Sequence, residues 1–358
     1  MRLTFLWSSS LQCLQRKEAL LCFKRKCLHS SRIYACSLKH EASATLHWSI
    51  VKERNLHVPV LLEKVIENAR LPNLEGSIFV DCTVGAGGHC EKVMELGIFS
   101  KCIAIDKDEK CGELLKENNL LRSVCFIQGS FANIDEILIQ ERVKSEDVGF
   151  ILADLGVSSM QLDNPSRGFS FSKDGPLDMR MDLSQSTTAW KVVNEYTEEA
   201  LCKIFRELGE ERKWKRVAAA IVNERQRNPI ETTCQLAKIV CAAKNEYPRH
   251  RRIHPATLTF QSLRLFVNNE LNELNKFIPK ALKCLGPFGR LAIISFHSLE
   301  DRLVKQTFKE YAEKSEFRIL TKKPAVPSEE EREANIRCRS AKMRVIERYP
   351  KNVENEFI

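Results

Sequence analysis

Five short apolar runs punctuate the chain, most of them closed by an acid or a glycine. Ile78-Phe79-Val80 ends on Asp81 and runs into the turn Gly85-Ala86-Gly87-Gly88-His89. Lys101-Cys102-Ile103-Ala104-Ile105 ends on Asp106, Ser123–Ile127 leads to Gly129, and Val148–Ala153 ends on Asp154. Gly289–Phe296 follows the turn Gly286-Pro287. Uninterrupted apolar runs of this length read as strands covered on both faces, the pattern of a parallel sheet. Between the first four, apolar positions recur at helical spacing over Cys90–Leu96, Glu109–Asn118 and Phe131–Leu138. Strand, glycine turn, helix, strand is the opening of a nucleotide-binding α/β unit.

The fifth run is separated from the fourth by segments of helical period. Ala189–Val193 with Leu201–Leu208 is one, Trp214–Val222 (with Arg212, Lys213, Lys215 and Arg216 around its start) a second, and Leu236–Val240 a third, with Thr232 or Thr233 as N-cap. A further helix is expected from about Thr259 to Phe277, and another from Leu299; strands are expected at Phe317–Leu320 and Met343–Glu347. The pattern predicts an α/β fold with a seven-stranded sheet and a helical domain inserted between strands four and five. The expected divisions are a leader over 1–45, a first part of the α/β domain over 50–161, the insertion over 162–253 and a second part over 254–350. A dinucleotide dehydrogenase would repeat its unit and its glycine turn in a second half, and no second glycine fingerprint is present.

Ligands of open α/β sheets bind beyond the carboxyl ends of the strands, and Gly85, Asp106 and Asp154 all fall there. Gly85, Gly87 and Gly88 free the backbone for conformations that a Cβ forbids and for close approach of a ligand. Asp106, about twenty residues after the turn, stands where an acid can accept from both hydroxyls of a ribose. These features point to an adenosine-containing cofactor. Phe131 reads as a core aromatic or a ring for stacking on a purine. From Asp154 to Asp182 the chain reads as a long loop dense in Gly, Ser, Asp and aromatic residues, and such loops are commonly functional. In it Phe169 and Phe171 suit stacking on an RNA base, and Asp154 or Asp178 suits accepting a proton or hydrogen bond from an amino group. Two basic clusters, Arg249-His250-Arg251-Arg252 and Arg337, Arg339, Lys342, Arg344, suit neutralising phosphates. Ser295–Arg302 lacks the G-x-S-x-G elbow of a hydrolase; His297 and Glu300 are read as shaping a loop after strand five, near substrate.

Charge sharpens the division of the chain. Its net charge is +9, but residues 1–40 carry eight Lys or Arg against the single acid Glu18, so the remainder is nearly neutral and any nucleic-acid surface is a local patch. An Arg- and Ser-rich, acid-poor leader has the composition of a mitochondrial transit peptide. No stretch approaches the eighteen or so apolar residues of a membrane span. The 14 cysteines include no C-x-x-C pair and no zinc spacing, and read as small buried hydrophobes in a reducing compartment, with no metal.

Taken in order, His57–Leu62, the Gly85–His89 turn, Asp154–Asp163, Arg167–Phe171, Gly175–Asp182, Gly209–Arg212, His254–Gln261, Val267–Leu271, Ser295–Asp301 and Arg339–Lys342 resemble the RsmH/MraW family of small-subunit rRNA cytosine N4-methyltransferases over about residues 55–348. The leader makes the chain similar to the animal mitochondrial member of that family. The resemblance implies a class I, Rossmann-like methyltransferase fold, S-adenosyl-L-methionine as methyl donor, and methylation of a cytidine N4 in mitochondrial small-subunit rRNA, free or in the assembling small subunit. It implies that Gly85, Gly87, Gly88 and His89 hold the methionine part of the cofactor, Asp106 the ribose, Phe131 the adenine, and Asp154 and Gln161 the rest of the pocket. Asp154, then Asp178, are the candidate catalytic acceptors. Phe169, Phe171, Arg180, Arg251, Arg252, His297, Arg339 and Lys342 are the candidate RNA contacts. The expected location is the mitochondrial matrix, with a ribosome-assembly protein as partner by context. The chain departs from the family at Met160, Ser262 and Ile336. Two other classes stay open at this stage: a dehydrogenase, and a non-catalytic rRNA-binding assembly factor that retains only a cofactor pocket.

Overall fold

The computed structural model describes residues 59–117, 124–246, 253–314 and 316–349. Its strands are β1 (Ile78–Asp81), β2 (Lys101–Asp106), β3 (Cys125–Gln128), β4 (Val148–Asp154), β5 (Arg290–Ser295), β6 (Phe317–Ile319) and β7 (Lys342–Arg348). They form one seven-stranded sheet in the order β3-β2-β1-β4-β5-β7-β6. The first five strands are parallel, and β7 runs antiparallel between β5 and β6. The strand order reverses between β1 and β4, and the crevice beyond the carboxyl ends at such a reversal is where these sheets take ligands.

The helices in chain order are α1 (Leu62–Ala69), α2 (Gly88–Met94), α3 (Glu109–Glu117), α4 (Ile134–Gln140), α5 (Ser159–Asp163), α6 (Ala189–Glu195), α7 (Glu198–Glu207), α8 (Trp214–Arg225), α9 (Thr233–Lys244), α10 (Thr257–Val267), α11 (Glu270–Cys284), α12 (Ser298–Lys314) and α13 (Glu329–Ala334). Successive strand residues point to opposite faces, and both faces are covered. Phe79, Ala104, Phe150 and Leu152 pack with Val65 and Ala69 of α1, Cys90 and Val93 of α2, and Cys111 and Leu115 of α3. Val80, Ile103, Ile151 and Ala153 pack with Ile134 and Leu138 of α4, Leu274 and Phe277 of α11, and Val304 and Phe308 of α12. This two-sided burial is why the strands read as unbroken apolar runs rather than alternating ones. Seven of the ten cysteines among the described residues are buried, and all ten are free thiols.

The insertion between β4 and β5 has its own core. Leu177 and Met179 join Val192 and Val193 of α6, Leu201 and Phe205 of α7, Val217 and Ile221 of α8, and Leu236 and Val240 of α9. Its helices start where short polar side chains take the first free amides: Thr188, Thr197 and Thr232 cap α6, α7 and α9, the last with Gln235 in a reciprocal box. The single helix expected over Thr259–Phe277 is two. Asn269 turns into the left-handed region at φ 52°, which Asn tolerates better than a branched residue, and α10 ends there. Phe260, Leu263 and Val267 of α10 pack into the insertion's core, whereas α11 packs on the sheet. The packing boundary therefore falls at this break rather than at residue 253. The long loop after β4 is also more ordered than its composition suggests: it contains α5 and a 3-10 turn at Pro165–Arg167. The short helix α13, whose first turn is capped by Ser328, lies in a separate compact unit.

Candidate active site

β1 delivers Asp81 and then the glycine turn. Gly85 and Gly87 take φ of +53° and +85°, the region that an L side chain rarely adopts. Gly88 is required for another reason: a Cβ there would lie 2.6 Å from Pro59 Cγ. A Cβ on Gly85 would meet nothing closer than Ser158 Cβ at 3.7 Å, so the turn is open above Gly85. The turn is fastened to β2 by its acid. Asp106 Oδ2 accepts from Gly85 N at 2.9 Å, and Oδ1 accepts from Asp108 N at 2.9 Å. Each oxygen keeps further lone-pair capacity, so the donor set that two ribose hydroxyls would supply fits Asp106.

Asp154 closes β4. Its backbone amide donates to Thr83 Oγ1 at 2.7 Å, which ties the end of β4 to the turn after β1. Its carboxyl Oδ1 is buried and accepts from no donor among the described residues. An unmet buried acceptor costs about 1–3 kcal/mol, a cost characteristic of sites that serve a ligand. His89, buried on α2, faces this carboxyl: Nδ1 lies 3.7 Å from Asp154 Oδ2, and Nε2 lies 2.9 Å from Val60 O. A carbonyl only accepts, so Nε2 carries the proton in that contact.

The carboxylates on this edge share one electrostatic situation. Burial pushes the Asp154 carboxyl well above the usual range, and the charges of Asp81 and Glu300 push it the same way. Burial raises Asp81 to about 7, against a lowering contact from Thr83 N and with a further raising effect from Asp106. Burial likewise raises Asp106, partly offset by the amides of Asp108 and Gly85. An acid poised near neutrality is suited to take a proton during a reaction. The open, glycine-lined turn, the ribose-type acid and the orphaned carboxyl oxygen together fit an adenosine-containing cofactor that carries positive charge.

The other predicted residues are placed as follows. Gln161 is the third residue of α5. Its Oε1 accepts from Ser158 N at 3.1 Å and its Nε2 donates to Asp108 Oδ2 at 3.0 Å, so its amide is already engaged beside the turn. Phe131 is half-buried with its edge on Phe277, centroids 5.0 Å apart. Asp178 is gripped by Arg180 through two parallel bonds of 2.8 Å, Nε to Oδ1 and Nη2 to Oδ2. It lies below the usual carboxylate range: the Arg180 bonds and charge outweigh burial, which ill suits it to accept a proton. The remaining Arg180 nitrogen donates to the carbonyls of Leu183 and Gln185, so this side chain folds its own loop rather than waiting for a phosphate. Phe169 is 8% exposed within the insertion's core, which withdraws it from base stacking. Phe171 stacks on His254 with centroids 4.4 Å apart. His297 Nε2 lies 3.0 Å from Glu300 Oε1, although not in hydrogen-bond alignment, and Glu300 Oε2 accepts from Phe296 N and His297 N. Lys342 pairs with Asp301 at 3.2 Å, and Arg339 is exposed. Arg251, Arg252, His57 and Val58 lie outside the described residues.

Three residues belong to the site without having been singled out from sequence. Asp81 ends an apolar run as Asp106 and Asp154 do, and that shared signal could have found it. Thr83 and Asp108 carry no such mark: they join the site only because the fold brings β1 and β2 to one edge, and Arg167, which opens the Arg167–Phe171 motif, reaches that edge through its bond to Asp108.

This geometry is matched by kinship. Residues 54–349 match the model of the MraW methylase family. The ribosomal RNA small subunit methyltransferase H of Halothermothrix orenii is 44% identical over 309 residues, covering 82% of this chain and 98% of that protein. The enzyme of that name from Clostridioides difficile is 42% identical over 316 residues, with 82% and 98% covered. A solved rRNA methylase from Streptococcus thermophilus covers 81% of this chain and 94% of its own, at 12% identity and a TM-score of 0.37, a likeness too slight to add to the strand order itself. The chain belongs to the MraW methylase family and is an S-adenosylmethionine-dependent methyltransferase.

Proposed function

We propose that this chain methylates N4 of a cytidine in mitochondrial small-subunit rRNA, on the free RNA or in the assembling small subunit, and so supports mitochondrial translation. Its relatives are named for the small-subunit rRNA and align over nearly their whole length. The Arg- and Ser-rich leader supports the matrix as its location.

The observation that carries the chemistry is the orphaned Oδ1 of Asp154 at the strand-order reversal. Cytosine N4 is a poor nucleophile because its lone pair is delocalised into the ring. When bound, S-adenosylmethionine supplies an electrophilic methyl group on a cationic sulfur. Asp154, ionised opposite the sulfonium, would accept a hydrogen bond from the amino group, favour its pyramidalisation and take the proton released as the S–CH3 bond breaks and the N–CH3 bond forms, leaving S-adenosylhomocysteine. Thr83 fixes the backbone of Asp154, and His89 stands beside its carboxyl. The Gly85–Gly87 turn and Asp106 would hold the cofactor, and positioning supplies much of the catalysis that a reactive sulfonium needs. The target base is splayed from its stack at a cost on the order of a few kcal/mol. Phe171, stacked on His254 and half-buried, is the aromatic of the post-β4 loop still placed to meet it.

The test is the nucleoside content of mitochondrial small-subunit rRNA in cells with and without the chain. N4-methylcytidine should disappear with the protein and return with the wild-type chain, but not with Asp154→Asn. Unchanged N4-methylcytidine in its absence contradicts the proposal. Restoration by Asp154→Asn removes Asp154 from the chemistry, and restoration by Asp106→Ala, which lacks the acid for the cofactor's ribose, favours the assembly-factor reading.

A further inference from the structure

We propose that Arg167 is a positioning residue that couples the two substrates, so that the methyl donor and the RNA bind with positive linkage. The inference rests on the proposed function for the identity of the two ligands and goes beyond it in assigning the link between them.

The link is a continuous set of buried and part-buried hydrogen bonds. Asp106, the acid suited to the cofactor's ribose, accepts from the amide of Asp108 at 2.9 Å. Asp108 turns its own carboxylate the other way: Oδ2 accepts from Arg167 Nη1 at 2.5 Å and from Gln161 Nε2 at 3.0 Å. Arg167 Nη2 then donates to Arg180 O at 2.9 Å and Met181 O at 3.0 Å, on the loop that carries the Asp178–Arg180 pair. The far side of that loop is held by Asn268, whose Oδ1 accepts from Met181 N at 2.7 Å and whose Nδ2 donates to Met179 O at 2.8 Å. Asp108, Gln161 and Arg167 are each 5% exposed and Asn268 is 3% exposed. One guanidinium therefore spans the cofactor edge of the sheet and the insertion.

Three features favour a coupling role over a plain structural pair. The carboxylate it grips belongs to the second residue after the ribose-type acid, and the two residues are joined by a hydrogen bond from the Asp108 amide to the Asp106 carboxylate. The two carbonyls it grips belong to Arg180, a member of the insertion's own ion pair, and to Met181 beside it, so losing these bonds frees that side of the loop. And Arg167 Nε, although buried, meets no acceptor among the described residues. A group placed only for stability would be expected to satisfy that donor, whereas departures of this kind gather at functional sites. Linkage of this kind requires two arrangements of the loop, held on Arg167 or released. A ligand that fixes Asp106 and Asp108 favours the first and leaves less ordering for RNA to supply, which is linkage between the sites.

The experiment uses the full chain. A transcript of the mitochondrial small-subunit rRNA is titrated with and without saturating S-adenosylhomocysteine, and S-adenosylhomocysteine is titrated with and without RNA. For the wild type, each ligand should tighten the other by the same factor, about five-fold or more. In Arg167→Met the factor should fall to near one, with affinity for S-adenosylhomocysteine alone within a few-fold of wild type. In methyl transfer its KM for RNA should rise while kcat at saturating RNA holds. Arg167→Lys keeps the charge beside Asp108, but its single nitrogen cannot span Asp108 and the two carbonyls as Nη1 and Nη2 do. It should fold with a cooperative urea transition and still lose the coupling, and it serves where the Met variant does not fold. Coupling retained in Arg167→Lys, or absent in a wild type that methylates, overturns this inference and leaves the proposed function standing. A wild type that binds no S-adenosylhomocysteine overturns both.

Discussion

His89 Nδ1 stands 3.7 Å from Asp154 Oδ2, while its Nε2 is anchored 2.9 Å from the carbonyl of Val60. The anchor fixes which nitrogen bears the proton and leaves the other turned toward the carboxyl that burial and like charge keep poised to hold a proton. The end of β4 and the start of α2 thus meet as an acid and an oriented imidazole, just past the strand-order reversal.

The first consequence concerns the acceptor. Asp154→Asn keeps the size of the side chain and removes the base. The methyl-transfer rate at saturating substrates should fall by about 10²–10⁴, with a cooperative urea transition retained. Transfer at the wild-type rate removes Asp154 from the chemistry.

Asp178 offers the contrast. Its carboxylate is committed to Arg180, and the pair holds a loop rather than facing a reacting group. Asp178→Asn should retain kcat to within about ten-fold but lose about 1–2 kcal/mol of stability in urea, as expected for a partly buried, charge-assisted pair. A loss of kcat matching that of Asp154→Asn, without a stability change, would reverse the two assignments.

The glycine turn separates packing from binding. At Gly88 a Cβ would press on the rigid ring of Pro59. Gly88→Ala should therefore destabilise the protein by about 1–3 kcal/mol. At Gly85 there is room for a Cβ but the backbone lies at φ +53°. Gly85→Ala should cost about 1–2 kcal/mol for that conformation and, in addition, weaken S-adenosylhomocysteine binding measured by calorimetry. Equal effects of both substitutions on binding would remove this distinction.

A pH dependence follows from the buried acids. Asp81 has its carboxyl raised from 3.8 to about 7, so the folded chain holds a proton that the unfolded chain has released. Its contribution to stability is fully present below about pH 4 and is lost as pH rises through about 7. Asp106 and Asp154 are raised too and act with the same sign. The ligand-free protein should lose stability between about pH 4 and 7, and Asp81→Asn should flatten part of that slope, by an amount on the order of a few kcal/mol. Ionised acids also attract the donor's sulfonium. S-adenosylmethionine binding should therefore strengthen with pH over this window more steeply than binding of the uncharged-sulfur product. Urea midpoints and calorimetry across the range check both statements.

Much of this was legible in the chain. The two-sided burial of the sheet wrote itself as Ile78–Val80, Lys101–Ile105 and Val148–Ala153, and the acids that close those runs mark the carboxyl edge. What sequence could not supply was the commitment of polar side chains to one another. Phe169, Arg180 and Asp178 look like RNA contacts or an acceptor in a loop, yet they fold the insertion. Asp108 and Arg167 are 59 positions apart and carry no local signal for the bond that joins them. The break at Asn268-Asn269 was hidden because apolar spacing continues across it, although a single left-handed residue redirects the chain.

The most direct measurement is methyl transfer itself. Purified protein is mixed with labelled S-adenosylmethionine and mitochondrial small-subunit rRNA or assembling subunits, and the product nucleosides are separated. The expected result is label in N4-methylcytidine, abolished by Asp106→Ala and cut sharply by Asp154→Asn. Cofactor binding with no label in either substrate, or label in another nucleoside, would contradict the assignment of Asp154 as the acceptor of a cytidine amino proton.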